Sequence, residues 1–249
     1  MNIKMIATDL DGTLLRDDKS ISERTLSALM RCRERGIKTV YATGRDKSAT
    51  QLVAFEYFDG VVRNNGASAY FGDTLLYSRP MPIESIRELL IACDRAGYKV
   101  AAERNGVHYA NFTPPDEWSV PSKKVDFSEH TLDAEKVYII VDSPEVVTSV
   151  RRYISGGLYL CVTRDDFVMV MHKEATKSSA ISALAKHWGI LQSEIVSFGD
   201  DINDIDLLRY SGIGVAMGNA LPDVKAVANQ ICDTNENDGV AKWLEANLR

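Results

Sequence analysis

Short apolar runs alternate with amphipathic segments over the first third of the chain. The first run has the length of a strand, and a helical pattern follows it with Leu26 and Leu29 on one face. Ser20 and Glu23 have the spacing of a capping box at the start of that helix. The predicted elements are strands at 3–8, 37–42 and 61–62 and helices at 22–35 and 47–55. This alternation predicts a parallel α/β sheet.

The pattern changes after Pro80, where hairpin signals appear. An amphipathic helix precedes two strands that flank Asn105 and Gly106, a dipeptide favoured in tight hairpin turns. The predicted elements are helices at 83–96 and 145–154 and strands at 98–103, 107–111, 136–141, 158–163 and 167–171. Hairpins mixed with two helices indicate an α+β module with an antiparallel sheet. We expect residues 81–173 to form a separate inserted domain.

The α/β rhythm resumes in the last third of the chain. The predicted elements are helices at 176–188, 202–210, 222–228 and 239–248 and strands at 195–198 and 213–216. The expected fold class is therefore α/β, with a Rossmann-like parallel sheet core interrupted by an α+β domain. Residues 1–80 and 174–249 are assigned to the core.

Composition narrows the class of protein. The chain has 249 residues, a net charge of −6 and 45% hydrophobic residues, which is ordinary for a globular protein. No dense run of Lys and Arg occurs, so nucleic acid and anionic membranes are disfavoured as partners. The start lacks the apolar segment of a signal peptide, and no apolar run approaches the ~20 residues of a membrane span.

The spacing of the cysteines and of the histidines also narrows the class of protein. The four cysteines form no C-x-x-C pair, which argues against a zinc site or a redox pair and favours a reducing cytoplasm. The four histidines have no spacing typical of metal binding, and we expect His108 to lie at the surface or in the inserted domain. The sequence therefore predicts a cytoplasmic protein, and it leaves both a monomer and a homodimer open.

Polar clusters follow four of the predicted strands. They are Asp9–Thr13, Thr43–Arg45, Asn64–Gly66 and Gly199–Asp204. Because the carboxyl ends of parallel strands lie on one edge of a sheet, where ligands bind, clusters almost 200 residues apart converge there. This convergence is the strongest functional argument that the residues themselves provide.

The convergent side chains predict a metal and a phosphate. The carboxylates of Asp9, Asp11 and Asp200 would repel one another unless a cation lies between them, and Mg²⁺ prefers such oxygen ligands. Thr43 offers a hydroxyl group to a phosphate, and Gly44 offers a backbone N–H. Lys177 stands near the start of a predicted helix, where the helix dipole disfavours a cation unless an anion is close.

The block Asp9–Thr13 resembles the D-x-D-G-T signature of the haloacid dehalogenase superfamily phosphatases. Thr43 matches the second motif of that family, Lys177 the third, and Gly199–Asp204 the fourth, G-D-x-x-N-D. The insert between the second and third motifs resembles the type-two (C2) cap of the Cof-like sugar-phosphatase branch. The resemblance covers essentially the whole chain.

The resemblance implies a role for each matching residue. Asp9 would be the nucleophile, and Asp11 would be the general acid and then the base, with its backbone carbonyl on Mg²⁺. Asp9, Asp11 and Asp200 would bind the metal, and Asp204 would support the site. The implied phosphate or substrate contacts are Leu10, Thr43, Gly44, Lys177 and Asn203, with Asn65 and Arg45 as further candidates for the substrate.

The implied function is Mg²⁺-dependent hydrolysis of a small phosphorylated metabolite, with sugar phosphates favoured, through an aspartyl-phosphate on Asp9. A phosphomutase or phosphotransferase would use the same intermediate and remains an alternative. A non-catalytic phospho-ligand sensor is less favoured, because no motif aspartate is missing. In the inserted domain, Trp118 is a candidate substrate contact, although a packing role is the stronger expectation.

Overall fold

The apolar runs at the two ends of the chain fold together, whereas the middle of the chain folds with itself. A computed structural model describes residues 2–115, 120–163 and 166–248. Its contacts divide the chain into two compact units. The first unit comprises Met1–Arg45, Ala49–Tyr77 and Thr176–Arg249, and the second comprises Asp46–Ser48 and Ser78–Ala175. The candidate residue Trp118 lies outside the described residues.

One sheet organises the first unit. Its described strands are β1 Met5–Thr8, β2 Lys38–Ala42, β3 Gly60–Arg63, β4 Ser68–Phe71, β5 Thr74–Ser78, β12 Ile195–Gly199, β13 Ile213–Ala216 and β14 Gln230–Ile231. They lie in the order β14-β13-β12-β1-β2-β3-β4-β5. The strands from β14 to β3 pair in parallel, and β4 runs antiparallel to β3. The predicted α/β class is confirmed.

Helices cover both faces of this sheet. They are α1 Glu23–Glu34, α4 Lys177–Trp188, α5 Ile205–Tyr210, α6 Pro222–Val227 and α7 Gly239–Asn247. Ile6 belongs to the core that includes α1 and α7, whereas its neighbours Met5 and Ala7 belong to the core that includes α4. Successive side chains of a strand face opposite sides, so β1 is buried on both faces and reads as one continuous apolar run.

The second unit has its own sheet and core. Its described strands are β6 Val100–Arg104, β7 Val107–Ala110, β8 Ser122–Lys124, β9 Lys136–Ile140, β10 Leu158–Val162 and β11 Phe167–His172. They lie in the order β10-β11-β9-β6-β7-β8. All pairs are antiparallel except β7 with β8. The helices α2 Ile83–Arg95 and α3 Pro144–Arg151 contribute Ile86, Leu89 and Val146 to the core.

Two local predictions are wrong. Residues 47–55 do not form one helix, because 3₁₀ turns cover only Lys47–Gln51 and Phe55–Tyr57. Asp46 accepts a hydrogen bond from the backbone N–H of Ser48, a local contact that competes with a regular helix. The capping box is also absent, since Ser22 is the N-cap of α1 and accepts from the N–H of Thr25.

The strands β4, β5, β8 and β14 were not predicted from the hydrophobic pattern. Each of these strands lies at or near the edge of its sheet, where the core imposes little alternation. Among the helices of the described part, none combines the length and the apolar character that crossing a bilayer requires.

Gly66 lies where β3 approaches the start of α4, and its substitution tests this packing. The residue has a φ of +102°, and a Cβ atom there would lie 2.0 Å from the carbonyl oxygen of Thr176. We expect Gly66→Ala to lower the free energy of unfolding by more than about 2 kcal/mol, because the backbone must move. Gly72→Ala is the matched control, since its φ is also positive but nothing lies near the added Cβ. It should cost only about 1 kcal/mol. Equal losses in urea unfolding would contradict this packing.

Candidate active site

The sheet of the first unit places the polar clusters at one edge. Asp9 directly follows β1, Thr43 directly follows β2, and Asp200 directly follows β12. Thr8 at the end of β1 is aligned with Phe198 of β12 and with Tyr41 of β2. Because these strands are parallel neighbours, their last residues open onto the same edge.

Lys177 is the residue around which this edge is organised. It is the first residue of α4, and only 1% of it is exposed. Its Nζ lies 2.6 Å from Oδ1 of Asp9 and 2.6 Å from Oδ1 of Asp204. Burial alone would lower the pKa of this ammonium, but the carboxylates of Asp204 and Asp9 raise it well above its usual value. Lys177 is therefore a permanent buried cation that joins two carboxylates.

Both carboxylate oxygens of Asp204 accept hydrogen bonds. While Oδ1 binds Lys177, Oδ2 accepts the backbone N–H groups of Asp200 and Asp201 at 3.0 Å and 3.1 Å. The chain can reach this geometry because residue 199 is glycine, where a Cβ would lie 2.4 Å from the Cβ of Asp204. Asp204 thus fixes both the lysine and the loop that carries Asp200.

Asp200 is positioned by the loop that follows β1. Its Oδ1 accepts a hydrogen bond from the hydroxyl of Thr13 at 2.9 Å. Gly12 has a φ of +74°, and a Cβ there would lie 2.5 Å from Oδ2 of Asp200. Asn219 donates to the carbonyl oxygen of Gly12 at 2.7 Å and so holds this turn. The glycine and threonine of the D-x-D-G-T block therefore make room for, and orient, a carboxylate from the other end of the chain.

The carboxylates of Asp9, Asp200 and Asp204 lie close enough to share a metal ion, with oxygen atoms within 4.8 Å of one another. All three are buried, and Lys177 forms ion pairs with Asp9 and Asp204. Burial raises the pKa of Asp9 well above its usual value although Lys177 opposes the rise, and the charges of Asp204 and Asp200 add to it. Because this excess of negative charge is costly without a counter-ion, the residues fit a hard divalent cation with oxygen ligands.

Asp11 faces different partners. Its side chain does not belong to the carboxylate group around Lys177, because Arg45 binds it through two contacts, Nε to Oδ2 at 2.6 Å and Nη2 to Oδ1 at 2.9 Å. Lys19 adds a third contact at 2.8 Å. Although burial opposes it, the hydrogen bonds from Arg45 and Lys19 lower the pKa of Asp11 to about 2. Lys19 cannot be recognised as a partner of Asp11 from the sequence, because an eight-residue separation inside a loop carries no pattern.

The remaining predicted residues form a second polar group. Thr43 is buried and accepts from the backbone N–H of Arg45 at 3.1 Å. Asn203 donates to Oδ1 of Asn65 at 2.8 Å, and a Cβ at Gly44 would lie 3.0 Å from the same oxygen. Thus Gly44, Asn65 and Asn203 come together. The side chain of Leu10 is fully buried, so this residue can offer a ligand only its backbone.

A buried lysine and three buried aspartates thus lie at the carboxyl edge of a parallel α/β sheet. A family model described as haloacid dehalogenase-like hydrolase matches residues 6–244, and the chain therefore belongs to this family. The resemblance inferred from the motifs, including the Cof-like branch, is confirmed.

Similar proteins specify the class of enzyme. A putative phosphatase of Haemophilus influenzae is 31% identical over 98% of both chains. A 5-amino-6-(5-phospho-D-ribitylamino)uracil phosphatase of Bacillus subtilis, YitU, is 29% identical over 97% of this chain and 96% of its own. The solved structure of BT4131, a sugar phosphatase of subclass IIB, superposes with a TM-score of 0.86 at 27% identity and covers 98% of both chains. The enzyme is a phosphoric monoester hydrolase of small phosphorylated metabolites, as predicted.

The charge imbalance around Asp9 predicts a pH-dependent change in stability. We expect Asp9→Asn to raise the free energy of unfolding of the metal-free enzyme at pH 7 by about 0.5–2 kcal/mol, because Lys177 and Asp204 remain as a balanced pair. The pKa of Asp9 is raised on folding above its ordinary 3.8. The native carboxyl therefore costs stability above its folded pKa and costs none once it is protonated below 3.8.

The increase in the free energy of unfolding caused by Asp9→Asn should therefore become smaller as the pH falls from 7 toward 4. Urea unfolding in the presence of a chelator measures this increase. Asp73→Asn, the same change at an exposed residue between β4 and β5, should have no effect at either pH. A gain that grows toward acid pH would show that Asp9 is not the strained group.

Proposed function

We propose that the enzyme hydrolyses phosphorylated sugars or sugar-like metabolites with Mg²⁺ and carries the phosphoryl group transiently on Asp9. The observation that supports this proposal most directly is the pairing of the buried Asp9 carboxylate with Lys177 at 2.6 Å. A carboxylate that attacks an anionic phosphorus needs a fixed positive charge beside it. The names of two similar proteins support the substrate class, because one acts on a phosphoribityl compound and the other is a sugar phosphatase.

The side chains of Asp9 and Asp200 and the backbone carbonyl of Asp11 would hold the metal ion, with Asp204 behind them. When bound, Mg²⁺ would neutralise the phosphoryl oxygens and the carboxylates that face them. Asp204 has both of its oxygens engaged by Lys177 and by backbone N–H groups. We therefore assign Asp204 to positioning rather than to direct coordination.

In the first step of the proposed reaction, a carboxylate oxygen of Asp9 attacks phosphorus. The bond from phosphorus to the substrate oxygen breaks, and Asp11 gives its proton to the leaving alkoxide. In the second step, a water molecule attacks the same phosphorus and passes a proton to Asp11, which releases phosphate and restores Asp9. Lys177 and Thr43 hold the phosphoryl oxygens through both steps, and Asn203, Gly44 and the backbone of Leu10 line the same edge.

We assign the choice of substrate to the second unit, which would act as the cap of this enzyme. All of the residues placed in the phosphoryl-transfer chemistry belong to the first unit. The second unit has a separate sheet and a separate core, so it can vary without disturbing Asp9 or Lys177. Arg45 and Asn65, at the edge of the first unit, would add contacts to the part of the substrate next to the phosphate.

The proposed nucleophile can be tested directly. Asp9→Asn should abolish phosphate release from every member of a panel of sugar phosphates and polyol phosphates assayed with Mg²⁺, because an amide cannot carry the phosphoryl group. Asp73→Asn should leave turnover unchanged. Equal turnover of Asp9→Asn and the native enzyme would refute the mechanism. Transfer of the phosphoryl group to an added alcohol in preference to water would instead identify a phosphotransferase.

The proposed role of Asp11 predicts a dependence on the leaving group. Asp11→Asn should lower kcat for alkyl phosphates by about 10²–10⁴-fold, because the alkoxide is no longer protonated as it leaves. With 4-nitrophenyl phosphate, whose leaving group needs no proton, the variant should release a rapid burst of one equivalent and then turn over slowly. Rapid-mixing absorbance measures the burst. If the burst is lost, Asp11 has a role before proton transfer.

A further inference from the structure

A second group of buried ionisable residues lies in the second unit. Glu103 of β6 and His108 of β7 face each other across the hairpin, as directly paired residues of the two strands. Asp46 lies beside the turn of the same hairpin, where a Cβ added at Gly106 would be 3.4 Å from its Oδ2. Ligand atoms of these three side chains lie within 4.8 Å of one another, and all three residues are buried. None of them has a role in the proposed phosphoryl transfer.

The contacts inside this group are longer than ordinary hydrogen bonds. Nε2 of His108 is 3.5 Å from Oδ2 of Asp46 and 3.7 Å from Oε2 of Glu103. Within the described residues, Nε2 of His108 and Oε1 of Glu103 make no hydrogen bond, although Glu103 is fully buried. Buried polar atoms of this kind are uncommon and costly, so their orientation toward one point requires an explanation.

The separations of 3.5 Å and 3.7 Å from Nε2 of His108 are close to those between neighbouring ligands of one metal ion. Tetrahedral zinc, with bonds of about 2.0–2.2 Å to nitrogen and oxygen, keeps adjacent ligand atoms about 3.4 Å apart. One imidazole and two carboxylates are a donor set that suits a borderline divalent ion. Three protein ligands would leave a fourth position for water or for an exogenous ligand.

The outer contacts also match a metal centre. Nδ1 of His108 lies 2.8 Å from the hydroxyl of Tyr138, and this contact orients the ring so that Nε2 faces the carboxylates. Oδ1 of Asp46 accepts the backbone N–H of Ser48 at 2.8 Å. Lys136 forms an ion pair of 2.9 Å with Oε2 of Glu103. Partners of this kind orient ligands in metal sites.

The excess of negative charge in this group favours a bound cation. Within the described residues, Lys136 is the ammonium that lies near the carboxylates of Asp46 and Glu103, and a bound cation would balance the remaining negative charge. We propose that Asp46, Glu103 and His108 form a binding site for a divalent metal ion of the zinc type within the second unit. The proposed site is separate from the aspartates of the first unit and does not rest on the proposed phosphatase chemistry. It would fasten the segment 46–48 to the β6–β7 hairpin.

Cobalt substitution tests the proposal. The full-length Asp200→Asn variant, in which the first-unit aspartates are impaired, is stripped with a chelator and titrated with Co²⁺. We expect one equivalent to bind with the intense visible absorption of four-coordinate Co²⁺. Adding His108→Gln should abolish that absorption, whereas adding His187→Gln, at an exposed histidine of α4, should leave it unchanged. Zn²⁺ should raise Tm of the Asp200→Asn protein and of the protein that also carries His187→Gln. It should not raise Tm of the protein that also carries His108→Gln.

Two outcomes would overturn the site. Either no four-coordinate absorption develops, or it survives His108→Gln. Either result would mean that these three residues form a closed ion-pair network that binds no metal ion. If the His108→Gln protein does not fold, X-ray absorption of the Zn²⁺-loaded Asp200→Asn protein decides the question. A shell with one imidazole supports the site, and a shell of oxygen atoms alone refutes it.

Discussion

The structure of the first unit depends on the burial of one ammonium group. Lys177 is almost completely removed from solvent, and a buried charge is tolerated only when it is paired. Its two partners come from opposite parts of the sequence, since Asp9 follows β1 and Asp204 follows β12. Meeting this requirement brings the start of α4 to the edge where the central strands end. The same requirement explains why a cation occupies the first position of a helix, where the helix dipole alone disfavours it.

Close packing of carboxylates accounts for the small residues around this pair. Gly12 and Gly199 stand where a methyl group would collide with Asp200 and Asp204 respectively. The glycines are therefore not simply turn residues, although Asp-Gly pairs are usually interpreted in that way. They allow the backbone to approach the charged side chains of Asp200 and Asp204 closely.

The sequence predicted the parts of the structure that follow from topology. Asp9, Thr43 and Asp200 stand at the ends of adjacent parallel strands, and the alternation of strands and helices is enough to place them at one edge. The ion pairs of Asp11 with Arg45 and Lys19 could not be predicted, because they depend on side-chain directions in a loop. The pairing of Glu103 with His108 could have been found, since a two-residue turn at Asn105 and Gly106 sets these positions opposite each other.

The contacts of Asp11 constrain the order of events in the proposed reaction. A carboxyl held by Arg45 and Lys19, with a pKa of about 2, is a carboxylate at neutral pH and has no proton to donate. This state suits the second step, in which Asp11 accepts a proton from water. The first step needs the protonated form, so Asp11 must leave these cations before the alcohol departs. A substrate that binds Arg45 would displace Asp11 from that guanidinium and so raise the pKa of Asp11. A water molecule alone would not displace Asp11. The same ion pairs would then limit the acid form of Asp11 to the complex with substrate.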